Sequence, residues 1–348
     1  MTIGSTTTIT SASDRLNLRM GFLNAENLFL LFDQEVPPHY LKLNEIQWQK
    51  LSSSVYENKA LNKCVEIAQI IKNKAPDIMM LCEVGGLESL KNFNRLFLAD
   101  QYHIALLEGN SDRNIDVGFL IKKQTEYYFD IATNKNRPLH YLYPHEQVSK
   151  STGYPIKASS QFFSRDCAEL RLFKKSKEEP FLAILLTHLK SRLDPDKIDP
   201  GGTEKRSAEL RTTIQIYKEL RQQNPNLPLI LCGDMNGFAG KPNTDTEFLP
   251  LYQDTDLEDV LELANVSMDK RSTFYQIKNN QKVDGKQIDY CFITGNLQDH
   301  LAMDSVEVYR FRDQFGFAID QPKTLIDKSK LPSDHYPLFF TLENLNVW

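Results

Sequence analysis

Nothing in this sequence is long and apolar enough to span a bilayer, because its apolar runs stop well short of the ~18 residues a membrane helix needs. The 41% hydrophobic and 25% charged residues are those of an ordinary water-facing globular chain. Cysteine is scarce. The five residues Cys64, Cys82, Cys167, Cys232 and Cys291 stand singly, with no CxxC pair or zinc-ligand spacing, and an odd number cannot all pair within one chain. Four of them fall inside strand-like apolar runs, so buried free thiols are expected. A secretory signal is missing too, since the opening MTIGSTTTITSASDRLNLRM is polar and lacks both a basic start and an apolar stretch. Residues 1–17 therefore read as a disordered or loosely attached lead-in and 18–348 as a single domain. The cytoplasm is the expected location, with secretion after loss of a signal left open. Positive charge is not in excess: a net charge of −5 and a pI near 5.9 give no global basic footprint for nucleic acid. A bound divalent cation and a few local Arg and Lys can still reverse the potential where it matters. Also absent are a serine nucleophile elbow, a GxxxxGKS/T phosphate loop and a GxGxxG turn, so acyl transfer, P-loop ATP hydrolysis and dinucleotide redox lack support.

What is present is a series of short apolar runs. LRMGFLN (18–24), DIMMLCEV (77–84), YHIALLEG (102–109), DVGFLIKK (116–123), DCAELRLF (166–173), FLAILLTHL (181–189), LPLILCGD (227–234), KQIDYCFIT (286–294) and HYPLFFTLE (335–343) all read as strands. Helical spacing appears over 57–74, at Leu61, Val65, Ala68 and Ile71, and over 204–222, at Ala208, Leu210, Ile214, Tyr217 and Leu220. Helices are too few to cross over between every strand pair, which argues against a wholly parallel sheet and for an α/β sandwich of two mixed sheets with outer helices. Residues 33–55 and 130–160 read as loops, and the Asp- and Pro-rich stretch 191–202 leads into a helix.

The chemistry-bearing residues terminate those strands. Asn24 ends the first, Glu83 ends LCE, His188 ends LLTH, Asp234 and Asn236 end LCGDMN, and Asp334 and His335 open the last. Taken singly, each has a structural alternative as a turn residue, a helix cap or a satisfied core histidine. Recurrence of the same placement is what points to a site at strand ends. The set suits one hard cation: Mg²⁺ takes oxygen ligands, keeps several waters and needs only one or two protein carboxylates, a role open to Glu83 and the amide of Asn24. Asp234 is placed to hold an attacking water and Asn236 to donate to a phosphoryl oxygen, while Ser333-Asp334-His335 offers an imidazole beside a carboxylate.

In order along residues 18 to 343, FLNAENLF, LCEV, RNIDVGFLIKK, THLKSR, GDMNG, QIDYCFIT and SDHYP together resemble the endonuclease/exonuclease/phosphatase superfamily, with its deoxyribonuclease I-like fold, and within it the bacterial nuclease-like branch. The resemblance implies a four-layered α/β/β/α sandwich. It implies metal-site roles for Asn24 and Glu83, water orientation by Asp234, a phosphate contact at Asn236, and a histidine pair, His188 and His335, flanking the scissile phosphate. Asp334 takes a supporting position, and Asp289 falls in the family's second carboxylate position. Arg113, Arg165, Lys190 and Tyr275 are weaker candidates for phosphate contacts, and Glu26 would share the strand face of Asn24. The implied reaction is divalent-metal-dependent phosphodiester hydrolysis, with Mg²⁺ as cofactor and Mn²⁺ or Ca²⁺ as substitutes, and nucleic acid as the favoured substrate. A phosphorylated lipid such as sphingomyelin, or an inositol phosphate, is the alternative, and a catalytically idle binding module is a third reading.

Overall fold

The computed structural model describes residues 15–143, 146, 161–174, 179–194, 197–278 and 282–347. One six-stranded sheet contains β1 (Arg15–Leu28), β2 (Ile78–Val84), β3 (Tyr102–Ala105), β4 (Asp116–Lys122), β13 (Glu307–Val308) and β14 (Leu338–Asn346), in the order β13-β14-β1-β2-β4-β3. A second has the order β5-β6-β7-β8-β12-β9, from β5 (Tyr128–Ala132), β6 (Cys167–Phe173), β7 (Leu182–His188), β8 (Leu229–Asp234), β9 (Glu258–Asp259) and β12 (Asp289–Ile293). A separate hairpin joins β10 (Phe274–Ile277) to β11 (Val283–Lys286). Each sheet has one parallel pair, β1 with β2 and β7 with β8, flanked by antiparallel neighbours, so both sheets are mixed.

Strand parity divides the core. Ile184 and Leu186 of β7, Ile230 and Cys232 of β8, and Cys291 and Ile293 of β12 join the cluster between the sheets. Ala183, Leu185, Leu229, Leu231, Tyr290 and Phe292 point the other way, onto the helix layer. Strands covered on both faces are apolar at every position, which is why these segments read as runs rather than alternations. The outer layers are α1 (Leu61–Lys74) and α2 (Gly86–Phe97) on the first sheet and α3 (Thr203–Gln223) on the second. Helix α1 buries Leu61, Cys64, Ile67, Ala68 and Ile71 on one face and ends where Ala75 turns left-handed before Pro76. Helix α3 buries Ala208, Ile214, Tyr217 and Leu220, and Asp199 caps its start by accepting from the backbone N–H groups of Glu204 and Lys205, both at 3.0 Å. The result is the four-layered α/β/β/α sandwich. All five cysteines are buried and free.

Each of the nine expected strands is found, with ends moved by a few residues. Arg15 to Asn17, expected in the lead-in, belong to β1, where Arg15 pairs with Asn346; residues 1–14 lie outside the described residues, as do 144, 145 and 147–160 of the expected loop. Helix α2 goes beyond the sequence expectations, although Leu90, Phe93 and Phe97 have helical spacing. The Gly85-Gly86 pair at its start breaks the local pattern, and Gly85 is needed there because a Cβ would meet the Phe29 ring at 2.2 Å. The region 33–55 carries a helical turn at Pro38–Lys42 and a short helix at Glu45–Gln49.

Candidate active site

Register brings the first three polar side chains together. His188 is the partner of Asp234 across β7 and β8, and Asp234 is the partner of Asp289 across β8 and β12. Cross-strand partners project to the same face, here the one turned toward the other sheet, where Leu186, Cys232 and Cys291 continue the row into the core. The close fit of β7 against β8 requires Gly233, since a Cβ there would lie 1.9 Å from the Thr187 carbonyl oxygen. From the other sheet, Asn24 Nδ2 donates to Asp234 Oδ2 at 3.0 Å, while the backbone N–H of Asn236 donates to Asp234 Oδ1 at 2.8 Å.

Ser333-Asp334-His335 is fastened to the same place. Ser333 Oγ donates to the Asn24 carbonyl at 2.7 Å and accepts from the His335 N–H at 3.1 Å. His335 Nδ1 and Asp289 Oδ2 are 2.8 Å apart, and its Nε2 lies 4.0 Å from Asp234 Oδ2 and 3.8 Å from Asp334 Oδ1. Phe274 lies beside the imidazole, with centroids 5.0 Å apart and the rings tilted by 53°.

The first sheet leaves its regular register at the site. The β1–β2 pairing shifts after Asn24 and the β2–β4 pairing shifts after Leu81, and Glu26, Asn27, Glu83 and Asn236 all take left-handed φ values. Bulges of this kind re-aim side chains, and a left-handed Glu is held only where its surroundings over-determine it, at a cost of about 1–3 kcal/mol. The turn lets the Asn27 N–H reach Glu83 Oε2 at 3.1 Å.

The two histidines sit in opposite electrostatic surroundings. Burial alone would favour neutral His335, but Asp289, Asp334 and Asp234 outweigh it and lift its pKa to about 10, so it is an imidazolium at neutral pH. His188, equally buried, is driven well below the usual histidine range by desolvation and by Arg165, the cationic His335 and Arg113. It is neutral, with Nε2 3.6 Å from Asp234 Oδ2 and Nδ1 without a partner among the described residues. Burial and Asp289 raise the Asp234 carboxyl to about 7, against the opposing pull of His335. Asp334, despite burial, is held below the ordinary carboxylate range by His335 and by Lys328, whose Nζ is 3.2 Å away.

A cavity of about 330 Å³ opens over this constellation, lined by Glu83, His188, Asp234, Asn236, Asp334 and His335 together with Arg113 and Arg165. Asn24 and Asp289 lie beneath it, 1% and 0% exposed, touching Asp234 and His335 respectively. Lys190 is placed in the adjoining cavity, its Nζ bonded to the Ser191 and Leu193 carbonyls at 3.2 and 2.5 Å. Tyr275 is not brought to the site. Side chains alternate along β10, so Phe274 and Gln276 face the cavity while Tyr275 turns into the core against Tyr336. Glu26 does not share the face of Asn24 either, because the bulge sends its carboxylate to Lys59 and Lys63, 3.4 and 3.2 Å away. Sequence reasoning missed Arg192, Lys286 and Phe274, which also line the cavity, and Asn27, which holds Glu83 and accepts from Arg113 Nη2 at 2.8 Å. Arg192 and Asn27 lie within motifs already singled out, THLKSR and FLNAENLF, and that neighbourhood was the available signal.

A model of the Endonuclease/Exonuclease/phosphatase family matches residues 19–269. The chain belongs to that family. The matched stretch holds Asn24, Glu83, His188, Asp234 and Asn236, whereas Asp289 and Ser333-Asp334-His335 follow it and reach the site through β12 and the approach to β14. No curated protein matches the sequence. Among solved structures, Danio rerio TDP2 complexed with a single-strand DNA product is 16% identical with TM-score 0.54, covering 93% of this chain and 98% of that one. The human Nocturnin catalytic domain with bound sulfate is 18% identical with TM-score 0.54, covering 95% and 96%. A Bacteroides thetaiotaomicron mannosyl-6-phosphatase is 15% identical with TM-score 0.53, covering 93% and 98%. At these identities the likeness is one of fold.

Enzymes of the family use divalent metals, and two groups of side chains invite comparison. Asp234, Asp289 and His335 present ligand atoms within 4.8 Å of one another. Asp234 is already engaged by Asn24 and by the Asn236 N–H, and His335 Nδ1 by Asp289 Oδ2, whereas Asp289 Oδ1 is buried with no hydrogen-bond partner among the described residues. Glu83 fits a hard cation better. One of its oxygens accepts from Asn27, and the other has no partner among the described residues at the cavity edge. Among the described residues Asn24 Oδ1 accepts only from the Glu26 N–H, at 3.0 Å, so one lone pair is left over.

Proposed function

We propose that this chain hydrolyses phosphodiester bonds of nucleic acid with a divalent cation, Mg²⁺ by preference, held by Glu83 with Asn24 beside it, and that residues 18–348 act as one domain. The carrying observation is the convergence of His188, Asp234 and Asp289 from one sheet with Asn24, Glu83 and His335 from the other at one cavity. Environments that push like groups apart in pKa assign their roles. Asp234, fixed by Asn24 and by the Asn236 N–H, orients the attacking water and takes its proton, a task suited to a carboxyl near neutrality. The bond from that oxygen to phosphorus forms as the bond from phosphorus to the leaving oxygen breaks. His335, kept charged by Asp289, offsets the negative charge growing on the phosphoryl oxygens, and neutral His188 and the Asn236 amide stand beside them as hydrogen-bonding groups. The cation supplies further charge neutralisation when bound. Arg113, Arg165, Arg192 and Lys286 around the cavity make a polyanion the natural occupant, despite the acidic balance of the whole chain. The TDP2 structure with a DNA product also supports this choice.

The test is incubation of the purified protein with linear, circular and single-stranded DNA and with RNA, in Mg²⁺, Mn²⁺, Ca²⁺ or EDTA. EDTA-sensitive cleavage of at least one of them is expected, and its absence throughout would defeat the reading. A second reading, hydrolysis of a phosphorylated lipid, is favoured by the segment just before Ser333. Phe315, Phe317, Leu325 and Ile326 are there 76%, 71%, 69% and 67% exposed, with Lys323 and Lys330 nearby. Phosphocholine or phosphate release from sphingomyelin vesicles or inositol phosphates, without nucleic-acid cleavage, would select it. An idle binding module would show no turnover on any of these substrates.

A further inference from the structure

Arg165 sits just ahead of β6 and is only 6% exposed, yet its guanidinium has no hydrogen bond or ion pair among the described residues, and its Nε is wholly buried and unpartnered. An uncompensated buried charge is costly unless something arrives to meet it. The side chain lines two cavities at once: the catalytic one, and an adjoining one of about 550 Å³. Arg113 is shared between them in the same way, and Lys190 and Lys205 add positive charge to the second, where Asp112 is the one acidic residue in the lining. Burial and the nearby Arg165 charge lower the Lys190 pKa, so the cations crowd one another in the absence of an anion. Phe162, 38% exposed, and Tyr143 complete the wall with aromatic surface.

Resting on the nuclease reading above, we infer that this second cavity is a subsite for the phosphate next to the scissile one in a nucleic-acid strand, with Lys205 and Arg165 as its cationic contacts and Phe162 as a platform for the intervening base. The substrate class is then an oligonucleotide carrying at least two phosphates, not an isolated diester. A phosphate needs several donors converging from different elements, which Arg165 from the start of β6 and Lys205 from the first turn of α3 supply. A base beside it gains from any aromatic face, without regard to sequence.

The deciding experiment compares kcat/KM along ladders of single-stranded oligonucleotides, extended one nucleotide at a time toward the 5′ or the 3′ end from a dinucleoside monophosphate. Wild-type protein should gain about tenfold when the second phosphate is added on one side only, the worth of one charge-assisted contact. Lys205→Ala should flatten that step and Lys205→Arg should restore it. In EDTA, Lys205→Ala should also reduce the slope of log affinity against log salt by about 1 for an octanucleotide. Cleavage with no step at the second phosphate, or a step that Lys205→Ala leaves intact, would overturn the subsite and leave the nuclease reading standing. No cleavage of any oligonucleotide would overturn the subsite, and would remove the nuclease reading itself if the duplex DNA and RNA substrates above are uncleaved as well.

Discussion

The Asp289→Asn variant bears most directly on the proposed chemistry. It keeps the shape of the side chain and an oxygen able to accept from His335 Nδ1, now 2.8 Å away, but removes the charge that opposes desolvation of the imidazolium. In the wild-type protein His335 is lifted from the ordinary 6.5 to about 10 although burial works against it, with Asp289 the foremost of the carboxylates responsible. Because the folded-state pKa is the higher one, this contribution to stability is complete below about pH 6.5 and is lost as pH rises through about 10. At pH 7 it amounts to at most about 4 kcal/mol for the whole carboxylate group, taking ~1.4 kcal/mol per pH decade. Asp289→Asn should therefore destabilise the protein more at pH 7 than at pH 10.5. It should lower kcat by about 10²- to 10³-fold, as expected when a preorganised positive charge is lost from a reacting phosphate. Denaturant unfolding at several pH values, an NMR titration of the His335 ring and a pH–rate profile in saturating Mg²⁺ would together read these effects. A wild-type His335 titrating near 6.5, or a variant whose kcat stays within about threefold of wild type across pH, would refute the argument.

Glu83→Gln should lower activity by about 10²-fold or more and raise the Mg²⁺ concentration needed for half-maximal rate, because the cavity-edge carboxylate is the main candidate ligand; a metal titration of activity checks it. Arg165→Met should weaken oligonucleotide binding yet raise Tm by roughly 1–3 °C, since it removes a buried charge without a partner; a lowered Tm by differential scanning calorimetry would contradict the account of that residue. Tyr275→Phe should leave kcat/KM within about twofold, because β10 turns this side chain into the core rather than the cavity; a steady-state assay suffices.

Strand positions were readable because both sheets are covered on two faces, and burial on two faces leaves long apolar runs such as LAILLTH and LILCGD whatever the surrounding topology. The polar residues that close those runs were legible for the same reason: a carboxylate or imidazole that ends an apolar strand stands out from its neighbours. Spacing along one strand misled at Glu26, and the family resemblance misled at Tyr275. For Tyr275, the parity of β10 was not visible in so short a segment. For Glu26, a bulge with left-handed Glu26 and Asn27 broke the two-residue repeat that would have kept it beside Asn24.

By itself, then, the sequence determined the sandwich class, the strands and the set of polar residues at their ends, since these follow from local hydrophobic pattern and from motif. Only the tertiary structure decided how they are wired. Asp289 lies against His335, Asn24 reaches across the sheets to Asp234, and the two histidines are shifted in opposite directions by their surroundings. Charge state and pairing depend on distances between groups up to 309 residues apart in the chain and on water's exclusion from between them. Neither quantity exists until the sheets have packed.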